Sequence, residues 1–145
     1  MLVEIDSKSN IIRSEFTKSL IKSDERMSYE EAQFVLKNNK QTLPPEVTIT
    51  GKTKTVSKEI CEALLTLNYI AITLKQKRKK KGSVFFNKEE VRFVVDKYGE
   101  PIDYSIKVQK EANHLIEEFM LLANVLVAKK IKEKNRTAVF RIHDY

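Results

Sequence analysis

The chain is poor in the residues that carry several familiar chemistries. Among 145 residues there is one cysteine, Cys61, with three glycines, three prolines and no tryptophan. A single cysteine excludes an internal disulfide framework, and in a helical pattern it reads as a small buried hydrophobe. The only histidines, His114 and His143, lie far apart in sequence, so a structural zinc site lacks support. Three glycines leave no Gly-rich phosphate loop, and no nucleophile word supports a Ser/His/Asp triad. The start, MLVEIDSKSN, has neither a charged n-region nor an apolar h-region. The longest apolar run, at 119–128, contains Asn124 and is too short to span a bilayer. No membrane partner is expected, and a cytoplasmic location follows by default.

What is present is charge, with an excess of one sign. Lysine plus arginine number 27 against 20 for aspartate plus glutamate, giving a net charge of +7 and a pI near 9.4. A basic balance favours a polyanionic partner, although composition does not separate nucleic acid from an anionic membrane. The hydrophobic share of 41% and charged share of 32% fit a soluble globular protein. The length suits one ordinary domain.

Along the chain, residues 2–5 read as a strand, 6–10 as a turn and 11–22 as a longer strand. Ile12, Phe16 and Leu20 share one face of that second strand, and its imperfect alternation suits a bulge or an edge. Ser28-Tyr29-Glu30-Glu31 is a capping box, with Met27 and Ala32 placed for a hydrophobic staple. The helix it opens should stop at Asn38-Asn39, and 44–54 reads as a loop. Ser57 caps a second helix, with Ile60, Leu64, Leu67, Ala71 and Leu74 along its stripe and Gly82 just past its end. Its last turns carry Lys75, Lys77, Arg78, Lys79, Lys80 and Lys81. A solvated helix end would explain them, since cations suit the C-terminal end of the macrodipole. A phosphate-tracking patch is the alternative. Residues 83–86 read as a strand. Val91, Phe93 and Val95, then Ile102, Tyr104, Ile106 and Val108, alternate around a turn at 96–99 as a second hairpin. A long helix and a final strand at 138–142 complete an α+β chain, with mixed or antiparallel strands in hairpins and about three helices.

The long helix organises the rest. Ala112, Leu115, Ile116, Phe119, Leu122, Ala123, Leu126 and Val127 form one apolar face, and Met120, Leu121 and Val125 are apolar beyond it. A helix apolar nearly all round is usually buried. Asn113, Glu117 and Asn124 form a polar stripe opposite that face. An unpaired buried carboxylate is expensive, so the stripe should either join a packing network or face a ligand. His114 and Glu118, four residues apart, read as a helix-surface pair.

The string LIEEFMLLANVLVAKKI followed by FRIHD resembles the middle of the RNB catalytic domain of the ribonuclease II and ribonuclease R family. The family word is a helix A-x-x-L-I-E-E-x-M-x-x-A-N and then R-x-H. It falls here on Ala112, Leu115, Ile116, Glu117, Glu118, Met120, Ala123, Asn124, Arg141 and His143. Arg26-Met27-Ser28-Tyr29 resembles the family's R-x-T/S-Y word. Gly82, Val84 and Phe85 or Phe86 resemble its G-x-[IVL]-x-F, with Arg92-Phe93 setting the register on Phe85. The likeness runs from about residue 3 to residue 144, and its wording is closest to the bacterial ribonuclease R branch.

The resemblance implies a processive 3′-to-5′ exoribonuclease that uses magnesium and takes single-stranded RNA. It implies that Phe85 stacks on a base and that Tyr29 and Glu117 hold the terminal nucleotide and favour ribose; from the basic run itself, Lys77, Lys79 and Lys80 are expected to track phosphates. Two family features are missing from residues 1–145: the aspartate cluster D-x-x-x-x-x-D-x-D-D that holds the metals, and the closing R-R-Y-x-D word. Asp6, Asp24, Asp96, Asp103 and Asp144 are scattered singly. The expectation is therefore a single partial RNB domain without metal ligands, inactive alone. It would work with the remaining RNB segments and cold-shock and S1-type modules. The alternatives are a non-catalytic RNA-binding or scaffold relative and a plain basic interaction module. A partial domain should leave apolar surface on the Leu121 and Val125 side of the long helix, which favours association.

Overall fold

The computed structural model describes residues 1–83 and 90–140. Phe85, nearly all of the expected 83–86 strand, and Arg141, His143 and Asp144 lie outside them. The elements are β1 (Leu2–Ile5), β2 (Ile11–Glu15), α1 (Tyr29–Asn38), β3 (Thr42–Leu43), β4 (Lys54–Thr55), α2 (Lys58–Lys80), β5 (Glu90–Val95), β6 (Pro101–Lys107) and α3 (Glu111–Glu133). The strands form three separate antiparallel pairs, β1–β2, β3–β4 and β5–β6. The fold is α+β, as expected.

Local signals set the helix ends. Ser28 Oγ accepts from Glu31 N at 3.1 Å, and Glu31 Oε2 accepts from Ser28 N at 2.7 Å. This satisfies two otherwise orphaned donors reciprocally. Asn39, at φ 50°, ends α1 in the left-handed conformation. Ser57 Oγ accepts from Ile60 N at the start of α2, and Gly82, at φ 92°, follows its end. Asn113 Oδ1 accepts from Lys110 N at the start of α3. One member of the polar stripe is thus a helix-start ligand.

Val35 of α1, Leu43 of β3, Val56 and Cys61 of α2 form the buried core. Met27, Phe34, Ile60 and Leu64 pack against it. Burial pushes the Cys61 thiol up, which suits an inert hydrophobe. The segment expected to be a loop at 44–54 is one over 44–53, and it is tied down. β3 pairs with β4, Val56 N donates to Gln41 O, and Thr48 Oγ1 donates to Lys52 O at 2.7 Å. Lys54 Nζ then lies 2.9 Å from Glu25 and donates to Arg26 O at 2.8 Å, anchoring the stretch that leads into α1. The bond from Lys54 holds the Glu25 carboxyl below its ordinary range.

Three expectations are corrected. The second strand stops at Glu15, not near residue 22, because its partner runs out: Leu2 pairs with Glu15 at the end of the ladder. Leu20 is consequently fully exposed. The expected irregularity is present as a register shift at Glu4/Ile5. The final strand is not formed over 138–140, which carry no ladder, and 141–142 lie outside the described residues. The third correction concerns α3. Ala112, Leu115 and Leu126 are buried against its neighbours, but Met120 and Val127 are exposed, as is Val125, whose side was expected to be uncovered. One layer formed by α1 and α2 covers only one side of it.

The buried polar residue on α3 is Glu118, whose side chain is 3% exposed, and not a member of the Asn113–Glu117–Asn124 stripe. Arg78 of α2 grips Glu118 with both arms, Nη2 to Oε1 at 2.6 Å and Nε to Oε2 at 3.1 Å. A two-armed guanidinium–carboxylate pair is directional as well as strong. At the other end, Ala112 N donates to Gln33 Oε1 of α1. Removing one partner of such a pair leaves a buried charge uncompensated. Glu118→Ala should cost about 2–3 kcal/mol, below the fully buried range because Arg78 keeps some solvent contact. Urea denaturation checks this. Arg78→Leu combined with Glu118→Leu should recover most of the loss, and a cost under about 0.5 kcal/mol for Glu118→Ala would show the pair to be dispensable.

Candidate functional site

Tyr29 is the first residue of α1, so the capping box fixes its backbone. Its side chain is half-exposed and lines an open groove of about 610 Å³ between the 25–32 segment and the start of α3. Ile49, Ile60, Leu64, Leu115 and Ile116 supply apolar wall there. The groove is wide enough for a ring or an extended chain, and the Tyr29 phenol gives it a polar handle.

Glu117 is 49% exposed and lies outside that groove, although Ile116 beside it lines the wall. Successive helix residues differ by about 100° in direction, so adjacent positions serve different sides. Glu117 Oε2 is 3.3 Å from His114 Nδ1, and its Oε1 is 4.0 Å from Arg78 Nη2. The Arg78 guanidinium therefore sits between two carboxylates, gripping Glu118 and standing beside Glu117. Half-exposed, Glu117 keeps acceptor capacity for an incoming hydroxyl. Tyr29 and Glu117 flank α3 on neighbouring sides and do not share one pocket.

The basic run divides by what each side chain does. Lys77 Nζ donates to Ser9 O at 2.8 Å and to Asn10 Oδ1 at 2.7 Å, closing the β1–β2 turn onto α2. That turn is organised by Asp6, which accepts from Lys8 N, Asn10 N and Asn10 Nδ2. The Asn10 bonds hold the Asp6 carboxyl below its ordinary range. Lys79 and Lys80 are exposed in the last turn of α2. Two of the three lysines singled out by sequence thus face solvent, and the third ties elements together. Phe85 lies outside the described residues.

The residue that sequence reasoning passed over is Glu118. It lies three residues beyond Leu115 and four before Leu122, on the apolar face itself. Its position in the 3-4 spacing was the available signal. Reading Glu118 as a surface partner of His114 overlooked it.

A divalent metal fits poorly here. Among the described residues no three His, Cys, Asp or Glu side chains converge. Asp6 and Asp96 are spent on turn N–H groups, Asp96 Oδ1 accepting from Tyr98 N and Glu100 N. Glu118 is spent on Arg78. Nor, among the described residues, is any helix long and apolar enough to cross a membrane.

The RNB domain family matches the chain over residues 1–145. The human Exosome complex exonuclease RRP44 is 35% identical over 142 residues, which are 97% of this chain and 13% of that protein. The Schizosaccharomyces pombe Exosome complex exonuclease dis3 is 37% identical over the same length, again 97% and 13%. Ribonuclease R 2 of Lactococcus lactis is 30% identical over 147 residues, covering 99% of this chain and 20% of that one. The chain thus spans 13% to 20% of the length of these relatives. Among solved structures, Mycoplasma genitalium RNase R in complex with ribose methylated single-stranded RNA superposes with a TM-score of 0.82 at 21% identity. The match covers 98% of this chain and 20% of that one, and it establishes the fold.

The lysine geometry makes its own prediction. Lys77→Met should lower stability by about 1–2 kcal/mol, because charged hydrogen bonds to the turn are lost. It should also raise amide exchange at residues 6–10. Lys79→Gln and Lys80→Gln should leave both unchanged. Hydrogen exchange and urea melts read the difference, and equal behaviour of all three variants would remove Lys77 from the turn.

Proposed function

The chain belongs to the RNB domain family, and from that premise we propose that it forms the central segment of a 3′-to-5′ exoribonuclease. In this reading it supplies channel wall for single-stranded RNA and no metal ligands. The observation that carries the reading is the family match along the whole chain, with relatives that are themselves exonucleases. A structural neighbour bound to single-stranded RNA supports the substrate class. Exposed Lys79 and Lys80 meet phosphates. Tyr29, from its groove, and Glu117, beside Arg78, hold the terminal nucleotide, with Phe85 stacking on a base. A base offers a π-face whatever its identity, so stacking grips without choosing sequence.

Magnesium, which the family implies, would clamp the attacking and leaving oxygens where carboxylates gather. The described carboxylates do not gather, so no cleavage step is assigned to them. A second reading, a non-catalytic RNA-binding relative, draws on that same scatter of aspartates. Both readings give the isolated chain one behaviour. It should bind single-stranded RNA without releasing mononucleotides, with or without magnesium. Affinity should fall with salt, and Lys79→Gln and Lys80→Gln should each reduce the log–log slope by about 0.7. Fluorescence anisotropy and a labelled-strand assay measure these. Magnesium-dependent mononucleotide release by the 145-residue chain would overturn the assignment.

The roles part at Glu117. A carboxylate can accept from the 2′-hydroxyl that separates RNA from DNA. In a complete RNB domain carrying these residues, Glu117→Ala should lower activity on RNA more than on a strand ending in 2′-deoxynucleotides. The difference should correspond to about 1.5–3 kcal/mol, the worth of a charge-assisted hydrogen bond. Equal losses on both strands, in a protein that still folds, would leave Glu117 with only its contacts to His114 and Arg78.

A further inference from the structure

We propose that the cleft between the β1–β2 turn, the end of α2 and the middle of α3 binds a nucleotide bearing a phosphate. Of the RNA-contacting residues named above, only Lys77 lines it, so the site extends beyond that reading. The cleft has a volume of about 370 Å³, within the range of small-ligand pockets, which are largely apolar with a few placed polar groups. Ile11, Leu74, Leu121 and Val125 supply the apolar wall. Lys77, Arg78, Lys81 and Lys129 line it as cations, against one carboxylate, Glu118.

Their partners show which charges are available. Arg78 is committed to Glu118, and Lys77 to the turn. Lys81 and Lys129 have no side-chain partner among the described residues. The carbonyl end of α2 accounts for a cation at Lys81. It does not account for Lys129, which a different helix brings to the same cleft. Both lysines are exposed and line the cleft from different helices, so their charge is open to an anion seated there.

A second observation comes from the turn. Ser9 is 3% exposed, sits at φ 56°, and its Oγ has no hydrogen-bond partner among the described residues. Buried hydroxyls are normally paired, and an exception points to a missing partner. Ser9 has one side-chain torsion, and rotation about it can offer Oγ to a ligand seated against the turn. An anionic head between Lys81 and Lys129, a flat apolar body against Leu121 and Val125, and a polar edge near Ser9 together describe a nucleotide. The source can be a free mononucleotide or one unit of an RNA strand.

The test titrates the isotopically labelled 145-residue chain with adenosine 5′-monophosphate, adenosine, inorganic phosphate and a short oligoadenylate without a terminal phosphate. The monophosphate should shift the amides of Ser9, Asn10, Lys81 and Val125 saturably. Adenosine and phosphate alone should bind at least tenfold more weakly. Lys81→Gln with Lys129→Gln should weaken the monophosphate at least tenfold, and Val125→Trp, which fills the cleft, should do the same. If the oligoadenylate shifts the same amides at least as strongly as the monophosphate, the source is a strand. If the oligoadenylate shifts those amides at least tenfold more weakly than the monophosphate, the source is a free nucleotide. No saturable shift at millimolar monophosphate, equal shifts with adenosine, or shifts confined to Tyr29 and Ile116 would overturn the proposal. If the lysine variants fail to fold, Val125→Trp and the comparison of monophosphate with adenosine decide it. RNA binding through Lys79 and Lys80 would survive such a failure, which separates the two readings.

Discussion

The two-armed bond from Arg78 to Glu118 is the constraint on which the arrangement of the helices depends. A carboxylate on the apolar face of α3 can enter the interior only if a partner arrives with it. Arg78, near the end of α2, is that partner, with bonds of 2.6 and 3.1 Å. Once the pair forms, the rotation of α3 about its own axis is set. Ala112 and Leu115 turn inward, and Glu117, one residue back, is carried outward to stand beside the same guanidinium. The pair also sets the phase of the last turns of α2. Lys77 is brought onto the Ser9 carbonyl and Asn10, while Lys79 and Lys80 stay in solvent. One buried ion pair therefore sorts a run of similar lysines into different environments.

What could be read from sequence was what a few neighbouring residues encode. The capping box at Ser28 and Glu31, the cap at Ser57, the left-handed end at Asn39 and the turn before β6 each depend on groups within a handful of positions. They appear where the sequence places them. What the sequence left unread involves partners outside the local word. The end of β2 depends on the length of β1, which is four residues. The ordering of 44–54 depends on β3 meeting β4 and on Lys54 reaching Glu25. The choice between Glu117 and Glu118 depends on an arginine forty positions away. The 3-4 spacing puts Glu118 on the apolar face, but no local word names the partner that lets it stay there.

The family words behaved differently from the periodicity. They select Tyr29, Phe85 and Glu117, while burial selects Glu118 and the hydrogen bonds select Lys77. These are not in conflict. A residue that contacts a ligand must keep a free face, and half-exposed Glu117 has one. Fully buried Glu118 does not. Strong pairing and burial mark the residue that holds the helix, and incomplete pairing beside it marks the one with capacity left over.

The distribution of apolar surface bears on how the chain holds together. The core of Val35, Leu43, Val56 and Cys61 joins α1, β3 and the start of α2. Outside it, the β5–β6 hairpin exposes Phe93, Val94, Val95, Ile102 and Tyr104, which point to both of its faces, and α3 exposes Met120 and Val125. Side chains of that kind contribute to folding only where something covers them. A two-stranded hairpin that leaves these side chains exposed is marginal by itself. Stability should therefore be graded, highest where α1, α2 and the Gln33–Ala112 bond meet and lowest in the hairpin. The same uncovered apolar side chains are the places where an added surface, from another segment or another chain, would gain most by docking.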